Sequence, residues 1–281
     1  MPGGKALSGT LYLVATPIGN LEDITFRAVR LLKEADLVAC EDTRQTRKLL
    51  DHYGIAKPTV SYHEHNERER SLELVAKLLQ GATVALVSDA GMPLISDPGY
   101  RLVRAAIDNG IRVEAVPGAS ALLTALAAAG LATDSFHFGG FLPAKSGQRL
   151  KALEALKDEP VTLIFYEAPH RIVDTLAAVE QMLAGRPVVV ARELTKMHEE
   201  FLRGTAAEIR TALAARPSVK GEITLLIGKR PGVAEDDTPL AEAVDACVAQ
   251  GMPRMEAIKA VAHRRGLSKR EVYGELEKLK H

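Results

Sequence analysis

The chain has 281 residues, of which 47% are hydrophobic and 26% charged, proportions that exclude disorder, collagen and coiled coil as the main architecture. Lys plus Arg total 36 and Asp plus Glu total 36. The formal net charge is therefore zero, and any affinity for nucleic acid must come from a local basic patch rather than from the whole surface.

At ~150 residues per domain, the length suggests two domains. No apolar run reaches the ~18 residues a membrane span needs, and Met1 to Thr10 lacks the apolar core of a signal peptide. The expectation is a cytosolic protein with no membrane contact. Cys40 and Cys247 are far apart and form no CxxC pair, so they read as buried, reduced thiols rather than a zinc or redox site. With no Trp, six Phe and six Tyr, the core must rest on Leu, Val, Ile and Ala.

The first half alternates short β-branched runs with helical stretches. Leu11–Ala15 reads as a buried strand and Ile24–Ala35 as a helix, followed by strand Leu37–Ala39 and helix Thr43–Tyr53. Thr59–Tyr62 is a strand. Asn66 is expected to cap the helix Glu67–Gln80, with Glu69 three residues on. Strand Thr83–Val87, helix Pro98–Asn109, strand Arg112–Ala115 and the Ala-rich helix Ser120–Ala129 complete the block. Strands separated by helices of this length form βαβ units and a parallel sheet.

A second α/β block follows, with some antiparallel pairing expected. Its strands are Phe136–Phe138, Val161–Tyr166, Val188–Ala191, Glu200–Arg203 and Glu222–Ile227. Its helices are Gln148–Lys157, Arg171–Leu183 and Ala206–Ala215. Lys229–Pro239 reads as a linker. The tail is helical over Leu240–Ala249, Arg254–Arg265 and Lys269–Lys280, with Gly266 as a stop and a Ser268/Glu271 capping box. Helix, Gly-containing turn, helix is helix-turn-helix spacing, and Arg254–Arg270 holds six basic residues against one acidic. The expected architecture is an α/β domain over 1–132, a second over 133–230, and a helical tail over 240–281.

Ligands of open α/β sheets bind at the carboxyl ends of the strands. Three such loops here are rich in Gly and Pro: Thr16–Asp23, Ser88–Gly99 and Val116–Ser120. Gly and Pro let backbone approach a ligand closely and fix its amides and carbonyls. No GxGxxG follows the first strand, and Gly140–Ser146 lacks the second Gly of a P-loop, so neither usual nucleotide fingerprint is met. His63 and His65 have i, i+2 spacing but no evident third ligand, and no metal is expected.

Several runs together resemble a known family. Leu13–Asp23, Glu41–Arg44, Ser88–Gly91, Phe165–Arg171 and Glu193–Lys196 are similar to the ribosomal RNA small-subunit methyltransferase I family, within the tetrapyrrole methylase superfamily. The resemblance runs from about Thr10 to Lys229 and into the tail. It implies two α/β domains with S-adenosylmethionine in the cleft between them, a homodimer, and 2′-O-methylation of cytidine 1402 in 16S rRNA of the small ribosomal subunit. Carried over motif by motif, it puts Ile18, Gly91, Met92, Leu94, Ile95, Ala119, Ser120, Tyr166, Glu222 and Thr224 on the cofactor. Small-molecule members carry Gly-Asp-Pro where this chain has Gly91-Met92-Pro93, which leaves open whether Asp89 replaces the acid.

A ribose hydroxyl is a weak acid, so a base or a cationic neighbour should assist its methylation. The candidates are Glu41, Asp42, Arg44, His63, Glu64 and Lys196, with Lys196, Glu64 and Arg44 foremost. An Asp42–Arg44 ion pair is the structural alternative for Arg44. Lys145, Arg149, Lys151 and the basic tail are candidates for RNA phosphates, against a solvated helical pair for the tail. Two other functions stay open at this point. One is a tetrapyrrole or other small-molecule methylase. The other is a ligand-sensing DNA-binding regulator that reads with the tail.

Overall fold

The computed structural model describes residues 9–230, 238–265 and 267–278. The first eight residues, most of the expected linker, the stop at Gly266 and the last residues of the third tail helix lie outside the described residues.

Five parallel strands form the first sheet: β1 (Thr10–Val14), β2 (Leu37–Cys40), β3 (Thr59–Ser61), β4 (Val84–Val87) and β5 (Arg112–Val116). They lie in the order β3-β2-β4-β1-β5. The central strand β4 is buried along its whole length, as a strand covered on both faces must be. Successive side chains point to opposite faces. Val84 and Leu86 therefore join one core, with Leu74 and Leu78 of α3 (Glu67–Leu79) and Leu102 of α4 (Tyr100–Asp108). Ala85 and Val87 join the other, with Leu31 and Leu32 of α1 (Phe26–Glu34) and Leu50 of α2 (Thr43–His52).

The second sheet is mixed. It contains β6 (Phe136–Phe141), β7 (Thr162–Glu167), β8 (Val188–Arg192), β9 (Glu200–Gly204) and β10 (Ile223–Ile227), ordered β6-β7-β10-β8-β9. β6 runs parallel to β7, and the other pairings are antiparallel. One face packs on Leu153 of α6 (Ser146–Ala155), Leu176 and Val179 of α7 (Ile172–Met182), and Ile209 and Leu213 of α8 (Ala206–Ala214). The opposite face is covered by a helix of the first domain. Ala125, Leu126 and Ala129 of α5 (Ala121–Ala129) pack against Ile164, Val189, Ala191 and Leu226.

The tail helices α9 (Leu240–Ala249), α10 (Arg254–Arg264) and α11 (Lys269–Lys278) share their own apolar cluster, which includes Val244, Ile258, Val261 and Val272. The Ser268/Glu271 capping box forms in both directions. Both cysteines are buried and free.

Several local expectations need correction. Asn66 does not cap α3 through its side chain. Its amide instead donates to the Ser61 carbonyl at 3.1 Å and accepts the His63 N–H at 2.9 Å, closing the turn before the helix. The fourth helix starts at Tyr100 rather than Pro98, because Gly99 takes φ +144°. β6 extends past Phe138 to Phe141 through an irregularity at Gly139-Gly140. Arg149 is buried, with Nη1 donating to the Ala144 carbonyl at 3.3 Å, so it is not placed to meet phosphate.

Leu226 is fully buried where the second sheet meets α5. Leu226→Ala should lower stability by about 2–5 kcal/mol, read as a fall in the urea midpoint at unchanged slope.

Candidate active site

The site grows from the carboxyl ends of β1, β4 and β5. Thr16 and Gly91 bridge the first two loops: Thr16 N–H donates to the Gly91 carbonyl at 2.9 Å, and Gly91 N–H donates to Thr16 at 3.0 Å. The Thr16 hydroxyl adds a bond to the Ser88 carbonyl at 3.0 Å. Gly91 sits at φ +84°, a conformation that favours glycine. A Cβ there would come within 3.3 Å of Ile18 Cγ2 and 3.5 Å of the Ala119 carbonyl.

Beyond Gly91 the loop is strained. Leu94 and Ser96, neither of them glycine, adopt φ of +73° and +67°, at a cost of order 1–3 kcal/mol each. The strain has a visible product. Leu94 folds under the loop against Gly99, while Ile95 and Asp97 line the cavity above.

The second domain supplies the facing wall. Because β7 and β10 are antiparallel, Tyr166 pairs with Thr224 and Glu167 with Ile223. The end of one strand therefore lies beside the start of the other. Leu194 follows β8 and closes the same wall. Asn20 N–H donates to the Thr195 hydroxyl at 3.0 Å, tying the loop after β1 to the second domain. The half-open cavity is about 370 Å³, within the range of small-molecule sites.

Its charge is one-sided. Asp89, Asp97, Glu167 and Glu222 line it, and no Lys or Arg does among the described residues. Three of these acids have partners. Glu167 is fully buried and binds Arg171 at 3.0 Å and the Thr175 hydroxyl at 2.6 Å. Glu222 meets Lys196 Nζ at 3.0 Å. Asp89 accepts the Asp42 N–H at 3.2 Å. Asp97 has no ion pair among the described residues. Burial, then the charges of Glu41 and Asp89, push its carboxyl up to about 6, against only the Ser88 hydroxyl.

Of the residues expected on a cofactor, Ile18, Gly91, Met92, Ile95, Ser120, Tyr166, Glu222 and Thr224 line this cavity. Leu94 does not; it packs into the first domain's core. Ala119 also stays out of the lining and packs beside α5. The three foremost catalytic candidates are dispersed. Glu64 lies exposed in the turn after β3. Arg44 is exposed and paired with Asp42 at 2.8 Å. Lys196 is held between Glu193 at 2.8 Å and Glu222 at 3.0 Å, beside the cavity. Burial alone would lower its pKa, but its hydrogen bonds to those two carboxylates outweigh burial and raise it. Asp97, Glu167 and Phe141 line the cavity without having been singled out. The Ser96-Asp97-Pro98-Gly99 run reads as turn chemistry, which hides its acid.

Two domains sharing a cleft at the strand ends define a class. The tetrapyrrole (corrin/porphyrin) methylase family model matches residues 10–210. The chain is also similar in fold to the uroporphyrin-III C-methyl transferase of Thermus thermophilus, solved with S-adenyl homocysteine. That likeness has a TM-score of 0.54 and 22% identity, covering 78% of this chain and 97% of the other. Within the class, the chain belongs to the ribosomal RNA small subunit methyltransferase I family. It is 53% identical to the member from Halalkalibacterium halodurans, over 94% of this chain and 93% of that one. It is 50% identical to the member from Mesorhizobium japonicum, over 98% and 94%.

Asp97 yields a stability prediction. A carboxyl whose folded pKa is raised favours the protonated fold, so its contribution falls as pH rises from about 4 to about 6 and stays lost above. Asp97→Asn should therefore melt a few degrees above the unsubstituted protein at pH 8. The difference should close near pH 4, as followed by calorimetry.

Proposed function

We propose that the enzyme transfers a methyl group from S-adenosylmethionine to the ribose 2′-oxygen of cytidine 1402 in 16S rRNA. The observation that carries this reading is the cavity beside the Gly91 cradle, lined by acids and, among the described residues, by no Lys or Arg. Such a lining disfavours a phosphate-bearing nucleotide and suits a cation. The donor is an electrophilic methyl on a positively charged sulfonium. Apolar Ile18, Met92, Ile95, Leu194 and Ile223 suit its nucleoside, and the backbone at Gly91 lies close enough for main-chain contact.

Asp97 is the proposed acceptor for the ribose proton. Among the described residues it is the lining acid without a cationic or main-chain partner, and its raised pKa brings it nearer to working pH. Lys196 keeps its proton between Glu193 and Glu222, so its proposed role is to orient Glu222 and the substrate as a cation rather than to act as a neutral base. Glu64 and Arg44 lie outside the cavity lining, and any part they play concerns the approaching RNA. Lys145, Lys151 and the basic stretch 254–270 are proposed phosphate contacts. The reading includes the small ribosomal subunit as substrate, a cytoplasmic setting, and a homodimer that covers the almost fully exposed Phe26 of α1. No described helix is long and apolar enough to cross a membrane.

Incubation with methyl-labelled donor should label rRNA in small subunits that lack the modification, and should leave uroporphyrinogen and DNA unlabelled. Label on the tetrapyrrole alone would overturn the reading. Gly91→Val places a branched side chain against Ile18 at a positive φ, and donor binding by calorimetry should be lost while the circular dichroism spectrum is kept.

The two catalytic roles separate by pH. Single-turnover methylation should rise with pH through about 6 and then level, as Asp97 ionises. Asp97→Asn should remove that rise and lower the rate about 10²-fold or more. Lys196→Met should also slow turnover but retain the rise.

A further inference from the structure

We infer that Phe141 is the stacking platform for the nucleobase of the target nucleotide, a role that rests on the rRNA reading above. The inference starts from strand parity. Residues three apart on a regular strand face opposite sides of the sheet. Phe138 and Phe141 are three apart, yet both rings meet Tyr166 edge-on, at 5.0 Å and 5.7 Å. The cause is a bulge. Phe138 pairs with Ile164 and Phe141 with Tyr166, so three steps on β6 match two on β7. One extra residue swings Phe141 onto the face its sequence position would deny it.

The two intervening glycines make the bulge possible. A Cβ on Gly139 would lie 2.4 Å from the Phe165 ring, and Gly140 takes φ +63°. Gly140 faces Ser96: a Cβ added at Gly140 would lie 3.6 Å from Ser96 Oγ. The chain neighbours of Phe141 and Asp97 thus face each other, and both residues line the same cavity. A nucleoside presenting its hydroxyl to Asp97 would carry its base toward Phe141.

The exposure of this ring fits a macromolecular ligand. Phe141 lines the cavity, yet 57% of it is open to solvent. Tyr166 meets its ring edge-on, and Phe138 in turn packs edge-on against Tyr166. An enzyme acting on a nucleotide must draw it out of its stack, and an aromatic face is the usual replacement for the lost neighbours.

The test uses the full-length enzyme and unmodified small ribosomal subunits. Subunit affinity is measured with S-adenosylhomocysteine present, so that no methyl is transferred. Donor affinity is measured separately by calorimetry. Phe141→Ala should weaken subunit binding about tenfold or more and leave donor affinity within about twofold. Phe141→Leu keeps apolar bulk without a π-face and should resemble Phe141→Ala, whereas Phe141→Trp should restore binding. Wild-type affinity in Phe141→Ala, or in Phe141→Leu, would overturn stacking. So would a parallel loss of donor affinity, which would place the ring on the donor's adenine. If the unsubstituted enzyme labels no rRNA, the rRNA reading falls and the stacking role falls with it.

Discussion

Two main-chain hydrogen bonds between Thr16 and Gly91 set the geometry on which the site depends. They join the loops after β1 and β4, which belong to neighbouring strands of the first sheet. The bridge holds Ile18 beside the glycine Cα and fixes where the strained Leu94–Ser96 turn begins. Backbone held this way needs no particular side chain to meet a ligand, which is why the loop can be built from Ala, Gly, Met and Pro. The Asn20–Thr195 bond extends the restraint into the second domain.

Charge is distributed around that frame with a consistent logic. Glu167 is satisfied by Arg171 and Thr175 and stiffens the turn after β7. Lys196 is satisfied by two carboxylates and stays an ammonium. Among the described acids lining the cavity, Asp97 is the one without an ion pair or a main-chain donor; burial and like charges oppose its ionisation, and the Ser88 hydroxyl alone favours it. A group kept in that condition is costly to the fold and useful to proton transfer.

Sequence periodicity made most of the framework legible. Strand β4 is short, β-branched and flanked by helical stretches, so its place inside a parallel sheet follows from pattern alone. The Gly/Pro loops were legible for a similar reason, since they lie where strands end. Other features depend on tertiary context. Asn66 looks like a cap, but the Ser61 carbonyl and the His63 N–H compete for its amide and win. Arg149 looks like a surface cation, but the Ala144 carbonyl lies within its reach in the interior. The bulge of β6 is written as Gly139-Gly140, yet its effect depends on the register with β7, which no local pattern states. Asp97 carries the same lesson: Glu41 comes from the loop after β2 and Asp89 from eight positions earlier in its own loop, so its environment exists only after folding.

The apolar cluster shared by α5 and the second sheet has a thermodynamic consequence. Ala125, Leu126 and Ala129 come from one sheet domain, and Ile164, Val189 and Leu226 from the other. Neither domain can lose its structure without exposing surface that belongs to its neighbour. The two sheets should therefore unfold as one cooperative unit, giving a single melting transition rather than two. The helical tail has its own cluster around Val244 and Val261, so its opening should be a separate event of lower free energy in the same molecule.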